Sequence, residues 1–468
     1  MKSKNIIRKV ILFLIGISAS TILTAGSNFV NVKEFGAKGD GKTDDSNSIQ
    51  SAIDSIQTSG GTVFFPEGRY TIKKTILING QPTTKNEDYG WITLRGTGGG
   101  SFLLGDGVDY IIAARRNPNS EVSYINGLRV KELSFSSFDT KMRCGGINVS
   151  YMLRWYIQDC NFLILKKGIY SDGGRDANGK SKSIWICRIL NNIFSRNADW
   201  PIEIGRCFDL VIANNVIEHS NGGICAGKPG DKYDAAANTI RIENNVIEGA
   251  QQNPAILGSC WIGGRIVGNY FEGNHGGDIM LTPGENDGWT RGMVIASNTF
   301  QPTEKQRKDG IYGPLYLQKI RDAVVYGNVT TGVNLFHKES AQWGSGMNIY
   351  SNTTNNPASV GTLEGATDKE RVEYLKNLPG YGTPRFSMYD IAGEVGLDAQ
   401  RGFTYNGKSI RFGTSAPQAT PVENKKGDIV FNQAPECKDG KITLGWICLE
   451  NGKPGKWTPI MISANKDK

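Results

Sequence analysis

This sequence contains few histidines, no long apolar run after residue 26 and no block of charges of one sign. Only three histidines occur in 468 residues, and no spacing of His, Cys, Asp and Glu typical of a metal site is apparent. After residue 26 no stretch reaches the roughly 20 apolar residues that a membrane-spanning helix needs. The formal net charge is +8, and four of the basic residues lie in the first nine positions, so no basic block remains to suggest a nucleic-acid partner. A metal site, a membrane span and a nucleic-acid partner are therefore not expected.

The first 26 residues differ in composition from the rest of the chain. Their basic residues precede an apolar run that starts at Val10 and gives way to small residues near Ala25. This layout is typical of a secretory signal peptide. We expect residues 1–26 to be removed and the remaining protein to be soluble and secreted, either extracellular or periplasmic.

The cysteines are too few for a disulfide scaffold, since eight are spread over the whole length. Cys160, Cys187 and Cys225 lie in apolar, strand-like contexts, and we expect buried thiols there. Cys437 and Cys448 flank a short polar turn and could form a hairpin disulfide in an oxidising compartment. Both the bonded and the free state are open for that pair.

Glycine is abundant, with 59 residues, and short apolar runs alternate with polar turns. This pattern predicts many short strands. A repeat becomes visible when the chain is aligned on one asparagine per unit, with intervals of 23 to 32 residues. The aligned segments have Cys160 in the asparagine's place first and then Asn192, Asn215, Asn245, Asn269, Asn298, Asn328 and Asn352. A repeat of this length indicates a solenoid with loops of unequal length on a common framework.

Each repeat unit fits one coil of a parallel β-helix. Before Asn245, Ile240 and Ile242 alternate with Arg241 and Glu243, which predicts a strand with its isoleucines inward. The asparagine predicts a sharp corner, because Asn tolerates the left-handed conformation and its amide can bond to the next coil. An apolar residue follows two positions later, and a third strand comes after a further turn. The prediction is an all-β, single-stranded β-helix with three short parallel strands per coil.

The region before the repeats predicts an amphipathic helix over residues 44–56, capped by Thr43 or Asp44, which would cover the open end of the β-helix. The segments FGAKGDGKTDD and GGTVFFPEGRY in this region closely resemble the opening of the pectate-lyase-like superfamily. That superfamily of right-handed parallel β-helix proteins includes polygalacturonase-related proteins, phage tailspikes and alginate epimerase modules. The resemblance extends through the repeats to about residue 355. It implies a right-handed β-helix and an extracellular or capsular polysaccharide as partner.

The end of the chain resembles the C-terminal segment of phage tailspikes and related secreted β-helix proteins, among which polysaccharide depolymerases are common. The resemblance makes a homotrimer an alternative to a monomer. A short helix is predicted over residues 366–378. The predicted domains are a signal peptide (1–26), a β-helix domain (27–360) and a C-terminal helix with a small β-rich domain (361–468).

Three consecutive coils carry a glutamate three residues after the corner: Glu218, Glu248 and Glu272. Neighbouring coils lie roughly 4.8 Å apart, so the three carboxylates would span the separations of both retaining and inverting glycosidases. Glu248 is flanked on both sides, and like-charge repulsion would favour its protonated form, as a general acid requires. The alternative is structural, because stacked identical side chains are common in β-helices. Both readings are open.

Other residues are candidates on weaker grounds. His219 follows Glu218, and His275 and Asp278 follow Glu272, so Asp278 is a further catalytic candidate and the histidines are candidates for substrate binding. Arg241 and Arg265 would stack on adjacent coils, either as a track for sugar carboxylates or as ordinary surface charge. Trp200 and Trp261 could stack on sugar rings or pack under loops.

The sequence therefore predicts a secreted polysaccharide-degrading enzyme. The preferred mechanism is endo-hydrolysis by paired carboxylates, with Glu248 as general acid and Glu218 or Glu272 as base or nucleophile. One alternative is a polysaccharide lyase, in which a base removes the proton next to a uronate carboxylate. Another is a glycan-binding or attachment protein without catalysis. The resemblance to the polygalacturonases stops at their paired aspartates and Gly-His-Gly, which are absent. We expect no cofactor, with Ca²⁺ possible if the protein is a lyase.

Overall fold

The structure is a computed structural model. It describes residues 28–354 and 403–463 apart from gaps at 58, 80–90, 116–124, 140, 174–182, 228–236, 285–287, 310, 344–345, 406–407 and 418–423. The chain forms two compact units, Met1–Pro384 and Arg385–Lys468. The predicted signal peptide, the predicted helix over 366–378 and the predicted boundary at 360 lie outside the described residues. Within the described residues, no helix is long and apolar enough to cross a membrane.

The first unit is a right-handed parallel β-helix made of three sheets, named A, B and C in the order in which each coil visits them. Sheet A contains Phe29–Asn31, Gly61–Phe64, Ile92–Arg95, Ile125–Lys131, Met152–Gln158, Ile184–Leu190, Cys207–Ala213, Ala237–Asn238, Arg241–Glu243, Trp261–Ile262, Arg265–Val267, Thr290–Arg291, Val294–Ala296, Leu315–Arg321, Val324–Tyr326, Ala341–Trp343 and Asn348–Tyr350.

Sheet B contains Asp40–Asp44, Gly68–Ile72, Ser101–Gly105, Ser134–Ser137, Asn161–Leu163, Ile193–Ser195, Val216–Glu218, Val246–Glu248, Tyr270–Glu272, Thr299–Gln301, Val329–Thr330 and Thr353–Thr354. Sheet C contains Ile76–Asn79, Tyr110–Arg115, Gly145–Asn148, Ile169–Ser171, Ile202–Ile204, Ile224–Ala226, Ile256–Ser259 and Ile279–Thr282, and it also pairs with Leu315–Arg321. The prediction of three parallel strands per coil is confirmed.

The corner between sheets A and B is held by a ladder of buried asparagines. The Asn215 side-chain amide donates to the Oδ1 of Asn245 at 2.9 Å, and Asn245 donates in the same way to Asn269 at 2.9 Å. The left-handed residue is the one before each ladder asparagine, as at Asn214 (φ 57°) and Asn244 (φ 56°). The predicted corner is therefore correct, but its two tasks are divided between consecutive residues: the first turns the chain and the second bonds to the neighbouring coil.

The inside of the β-helix is filled by columns of apolar side chains. Phe135, Phe162 and Phe194 stack with ring centroids 5.0 and 4.8 Å apart. Ile217 and Ile247 continue that column and are buried. Because each coil repeats its neighbour, the same inward position recurs along the axis, and the predicted core column is confirmed.

The N-terminal helix α1 (Ser46–Ile56) buries Ile49, Ala52, Ile53 and Ile56, as predicted. It begins two residues later than predicted. Asp45 instead accepts backbone N–H bonds from the preceding loop, and Asp44 accepts one from Ser46. The second helix, α2 (Glu304–Lys308), starts with a capping box, and two 3-10 turns cover Val32–Phe35 and Gly98–Gly100.

The second unit contains a small sheet, D, of mostly antiparallel strands. They are Phe403–Tyr405, Lys408–Gly413, Ile429–Asn432, Cys437–Lys438, Lys441–Glu450 and Lys456–Ser463. Neither Cys437 nor Cys448 forms a disulfide. Cys437 pairs across the hairpin with Ile442, whereas Cys448 pairs with Trp457. The hairpin register thus keeps the two cysteines apart, and the disulfide alternative is wrong.

Candidate active site

The three predicted glutamates form a row in register on sheet B. Glu218 pairs with Glu248, and Glu248 pairs with Glu272. The first two side chains are half-buried, while Glu272 is exposed and accepts a hydrogen bond of 2.8 Å from the Tyr270 hydroxyl. That hydrogen bond raises the pKa of Tyr270. The alignment of the row is confirmed, and its catalytic role stays a prediction.

His219 adds a nitrogen donor to this row. Ligand atoms of Glu218, His219 and Glu248 all lie within 4.8 Å of one another, the one such grouping among the residues that the structure describes. One imidazole and two carboxylates suit a zinc-like ion better than Ca²⁺, which takes oxygen ligands. The sequence aligned Glu218 with Glu248, but it gave no metal-ligand spacing that included His219, so this grouping was not predicted.

Arg241 and Arg265 lie in register on sheet A and are exposed, so their predicted stacking is confirmed. Arg265 Nε lies 3.7 Å from Glu243 Oε1. They belong to a different sheet from the glutamate row, and their role in binding stays a prediction.

The prediction that two tryptophans stack on sugar rings is wrong. Trp261 is completely buried, and its indole N–H donates to the Ala226 carbonyl at 2.7 Å. Trp200 is only 6% exposed and packs against Gly222, where an added Cβ would lie 2.8 Å from the ring. Trp261 belongs to the core of the β-helix and Trp200 is buried against Gly222, so neither indole offers a face to a ligand.

His275 and Asp278 belong to a different place, a cleft of about 480 Å³ between helix α2 and the sheet C strand Ile279–Thr282. Polar side chains converge on it from four segments of the chain. Those with ionisable or hydroxyl groups are His275, Thr282, Thr303, Lys305, Asp309, Tyr312, Tyr316, His337 and Glu339. A concave site with a few convergent polar groups is the usual form of a ligand-binding or catalytic pocket.

Asp278 lies behind the wall of this cleft, 4% exposed. Its Oδ2 accepts a hydrogen bond of 2.5 Å from the Tyr312 hydroxyl, and its Oδ1 accepts one of 2.9 Å from Asn274. Burial raises the pKa of Asp278 to about 6, against the opposing effect of these hydrogen bonds. Burial and the nearby Asp278 charge also raise the pKa of Tyr312. Tyr312, which lines the cleft, therefore connects the buried carboxyl to the cleft.

His337 lies on the same wall with its tautomer set by the backbone. Its Nδ1 accepts the Glu339 N–H at 3.2 Å, so in the neutral ring the proton is on Nε2. The Tyr316 ring packs edge-on at 5.1 Å. Burial lowers the pKa of His337, although Glu339 and Asp309 act in the opposite direction. In this tautomer the lone pair that can accept a proton is on Nδ1, where the Glu339 N–H is bound.

Comparison with known proteins agrees with this fold. A sequence-family model described as rhamnogalacturonase A/epimerase, pectate lyase-like, matches residues 29–104. The tailspike protein of Acinetobacter baumannii phage AM24 superposes with a TM-score of 0.51 at 16% identity, over 70% of this chain and 55% of that one. The resemblance to pectate-lyase-like β-helix proteins is confirmed.

Two curated relatives share short segments with this chain. Alginate lyase 7 of Azotobacter vinelandii is 60% identical over 43 residues, which are 9% of this chain. Mannuronan C5-epimerase AlgE3 of the same organism is 38% identical over 98 residues, 21% of this chain. The matched segments span only 5% and 4% of those relatives' own lengths.

The sequence analysis identified His275, which lines the cleft, and Asp278, which lies behind its wall, and missed Tyr312 and His337. Tyr312 lies 34 residues after Asp278, on the next coil. This separation matches no sequence motif, so the contact between the two residues could not be predicted. His337 is the third of only three histidines in the chain, and this scarcity could have identified it as a candidate site residue.

Proposed function

We propose that the protein is a polysaccharide-modifying enzyme that removes the proton next to a uronate carboxylate, as a lyase or an epimerase does. The cleft between α2 and sheet C is its active site. The observation that carries the proposal is the buried Asp278–Tyr312 pair, in which a hydroxyl at the cleft wall donates to a carboxyl whose pKa lies near 6. This pair favours the lyase alternative over direct hydrolysis, because the enclosed Asp278 cannot itself reach a glycosidic oxygen.

In this mechanism His337 and Tyr312 transfer protons and Lys305 faces the uronate carboxylate. The neutral His337 imidazole accepts the proton from C5 of the sugar on Nδ1, after the Glu339 N–H bond to that nitrogen opens. Lys305 stabilises the negative charge that develops on the carboxylate. In elimination, the C4–O bond breaks, a C4–C5 double bond forms, and Tyr312 donates its proton to the leaving oxygen. Protonation of C5 from the opposite face gives epimerisation instead.

The protonation states of Asp278 and Tyr312 determine how Tyr312 can act. Its pKa is raised, so it is protonated at neutral pH and serves as a donor. When Asp278 holds a proton, it can return that proton to Tyr312 after the transfer, because the two oxygens lie 2.5 Å apart. A carboxyl with a pKa of about 6 is close enough to neutrality for both directions of this exchange.

The names of the relatives support a uronate substrate. Alginate lyase 7 and mannuronan C5-epimerase AlgE3 are named for reactions of uronate polysaccharides. The matched segments are short, so the substrate of this chain belongs to the proposal. We further propose a secreted protein, because of the leader at residues 1–26, and either a monomer or a homotrimer.

Endo-hydrolysis by the glutamate row remains a second candidate. Its support is the register of Glu218 and Glu248, which places two carboxylates about one strand spacing, roughly 4.8 Å, apart. That separation is close to the value for retaining glycosidases. A glycan-binding protein without catalysis is the third candidate.

The experiment compares Tyr312→Phe with the matched variant Tyr270→Phe, whose hydroxyl serves the glutamate row. Purified proteins are incubated with alginate, polygalacturonate and neutral glucans. Reducing ends, the ultraviolet absorbance of unsaturated uronates and deuterium uptake at C5 are then measured. We expect Tyr312→Phe to lower kcat by at least about a hundredfold and Tyr270→Phe to leave it within about twofold.

Each of the other outcomes identifies a different function. New reducing ends without unsaturation, abolished by changes in the glutamate row, mean a hydrolase. Retention of a polysaccharide with no chemical change means a binding protein. Full activity of Tyr312→Phe on a confirmed substrate removes the cleft mechanism.

A further inference from the structure

One outward column on sheet A combines arginines with aromatic rings. The register of consecutive strands places its members side by side, and we call it the arginine column: Arg129, Tyr156, Arg188, Val211, Arg241 and Arg265. The neighbours of each member along its strand point inward, as Leu128 and Val130 do, so the column faces outward. Four of its six members are cationic and none is acidic.

The column begins on a stacked aromatic platform. The Trp91 and Tyr156 rings stack with centroids 5.3 Å apart, and the Arg129 guanidinium lies 4.7 Å from the Trp91 ring centre. Trp91 lies across Gly127, where an added Cβ would lie 3.2 Å from the indole. Both rings are partly exposed. One face of each ring is covered by the stack, so the surface that the platform offers to the apolar face of a sugar ring is the part of each ring that stays exposed.

The arginines further along the column are positioned for anions. The Arg188 guanidinium donates to the backbone carbonyls of Cys187 and Asp209, each at 2.8 Å, which fixes its direction. Arg241 and Arg265 are exposed. Glu243 forms an ion pair with Arg265, with its Oε1 3.7 Å from Nε. A guanidinium has five N–H donors, so donors remain for a carboxylate or sulfate.

From these observations we propose that the arginine column is a binding surface for an acidic polysaccharide, which lies along the axis of the β-helix. Five strand spacings separate Arg129 from Arg265, roughly 24 Å at about 4.8 Å each. An extended polysaccharide advances by a similar length per sugar, so successive sugars meet successive coils. A polyuronate or a sulfated glycan matches the cationic column, while the aromatic platform adds contacts that a bare phosphate backbone does not use.

This surface is separate from the cleft. The column belongs to sheet A, and the cleft is bounded by α2 and the sheet C strand Ile279–Thr282. It would retain polymer on the protein whether or not the cleft carries out the proposed reaction. Binding and chemistry can therefore be measured independently.

The test measures the Kd for alginate and polygalacturonate by affinity gel electrophoresis at two salt concentrations. The double variant Arg241→Ala/Arg265→Ala is compared with Arg69→Ala/Arg196→Ala, which removes the same charge from two exposed positions, one in a strand of sheet B and one directly after such a strand. We expect the first to weaken binding by at least about tenfold and the second by less than about twofold. Binding by the parent should weaken with salt, since the contacts are ionic.

A variant of the aromatic platform and two control ligands test the same proposal. Trp91→Ala, with folding checked by its thermal midpoint, should also weaken binding, because it removes the platform. Equal losses in both double variants, or no loss in either, would overturn the proposal. So would binding of duplex DNA or neutral dextran as tight as that of alginate, or a loss of binding in Tyr312→Phe with none in Arg241→Ala/Arg265→Ala.

Discussion

At the residue scale, Asp278 makes stability depend on pH. Its pKa is about 6 in the folded protein against an ordinary value of 3.8, so folding favours its protonated form. Its stabilising contribution is complete below about pH 4 and is lost as the pH rises through about 6, a change of about 3 kcal/mol. Urea unfolding of the parent and of Asp278→Asn at both pH values measures this. Between pH 4 and pH 7 the free energy of unfolding of Asp278→Asn should rise relative to that of the parent. An equal change in both proteins would contradict the raised pKa of Asp278.

A second residue, Glu248, separates the two catalytic candidates. If the cleft carries out the reaction, Glu248→Gln should keep kcat within about twofold of the parent, because a solvent-accessible, isosteric change on sheet B leaves the cleft intact. Activity on the confirmed polyuronate is the measurement. A loss of two orders of magnitude, with an unchanged thermal midpoint, would instead assign the chemistry to the glutamate row.

At the element scale, the asparagine ladder gives the clearest stability prediction. Asn245→Ala removes the bonds to Asn269 and Ile212 and leaves the buried Asn215 N–H without its acceptor. We expect a loss of about 3 kcal/mol in the free energy of unfolding, because orphaned buried groups cost more than the bond itself. The adjacent Asn244→Ala changes an exposed residue with φ 56° and should cost about 1 kcal/mol. Equal effects in denaturant titrations would contradict the division of tasks.

The same element shows how far the sequence could predict the fold. Alternation around Ile240 and Ile242 defines strand faces, and the recurrent asparagine defines the coil, so the architecture was readable from one chain. The assignment of the left-handed residue failed because two consecutive asparagines both suit that conformation. Only the bonding partners distinguish Asn244 from Asn245. The start of α1 was missed because several adjacent polar residues can cap a helix.

The candidate site was less predictable, for a physical reason. A column along the axis follows from the repeat, so Glu218, Glu248 and Glu272 could be aligned from the sequence. The cleft is assembled from loops of different coils and from α2, whose positions depend on packing rather than on the repeat. Tyr312 and Asp278 meet across one coil, and nothing in their spacing indicates it.

For the whole molecule, we expect the activity to be independent of metal. The grouping of Glu218, His219 and Glu248 lies at the end of two sheet B strands, and none of the three residues lines the cleft. Dialysis against EDTA should leave kcat on a confirmed polyuronate within about twofold, because Lys305 rather than a cation faces the carboxylate. Loss of activity with recovery in Ca²⁺, and no recovery in Zn²⁺, would contradict this and assign the charge neutralisation to calcium.

The ladder of asparagines also bears on how the chain is made. The side-chain amides of Asn215, Asn245 and Asn269 donate within their own coil and to the coils before and after it, to partners at most 33 residues away along the chain. A coil emerging from a ribosome or a translocon can therefore dock on the one completed just before it, without waiting for the C-terminal end. Synthesis and folding then advance together, with α1 as the starting template. A chain halted partway exposes one unfinished coil at its growing end.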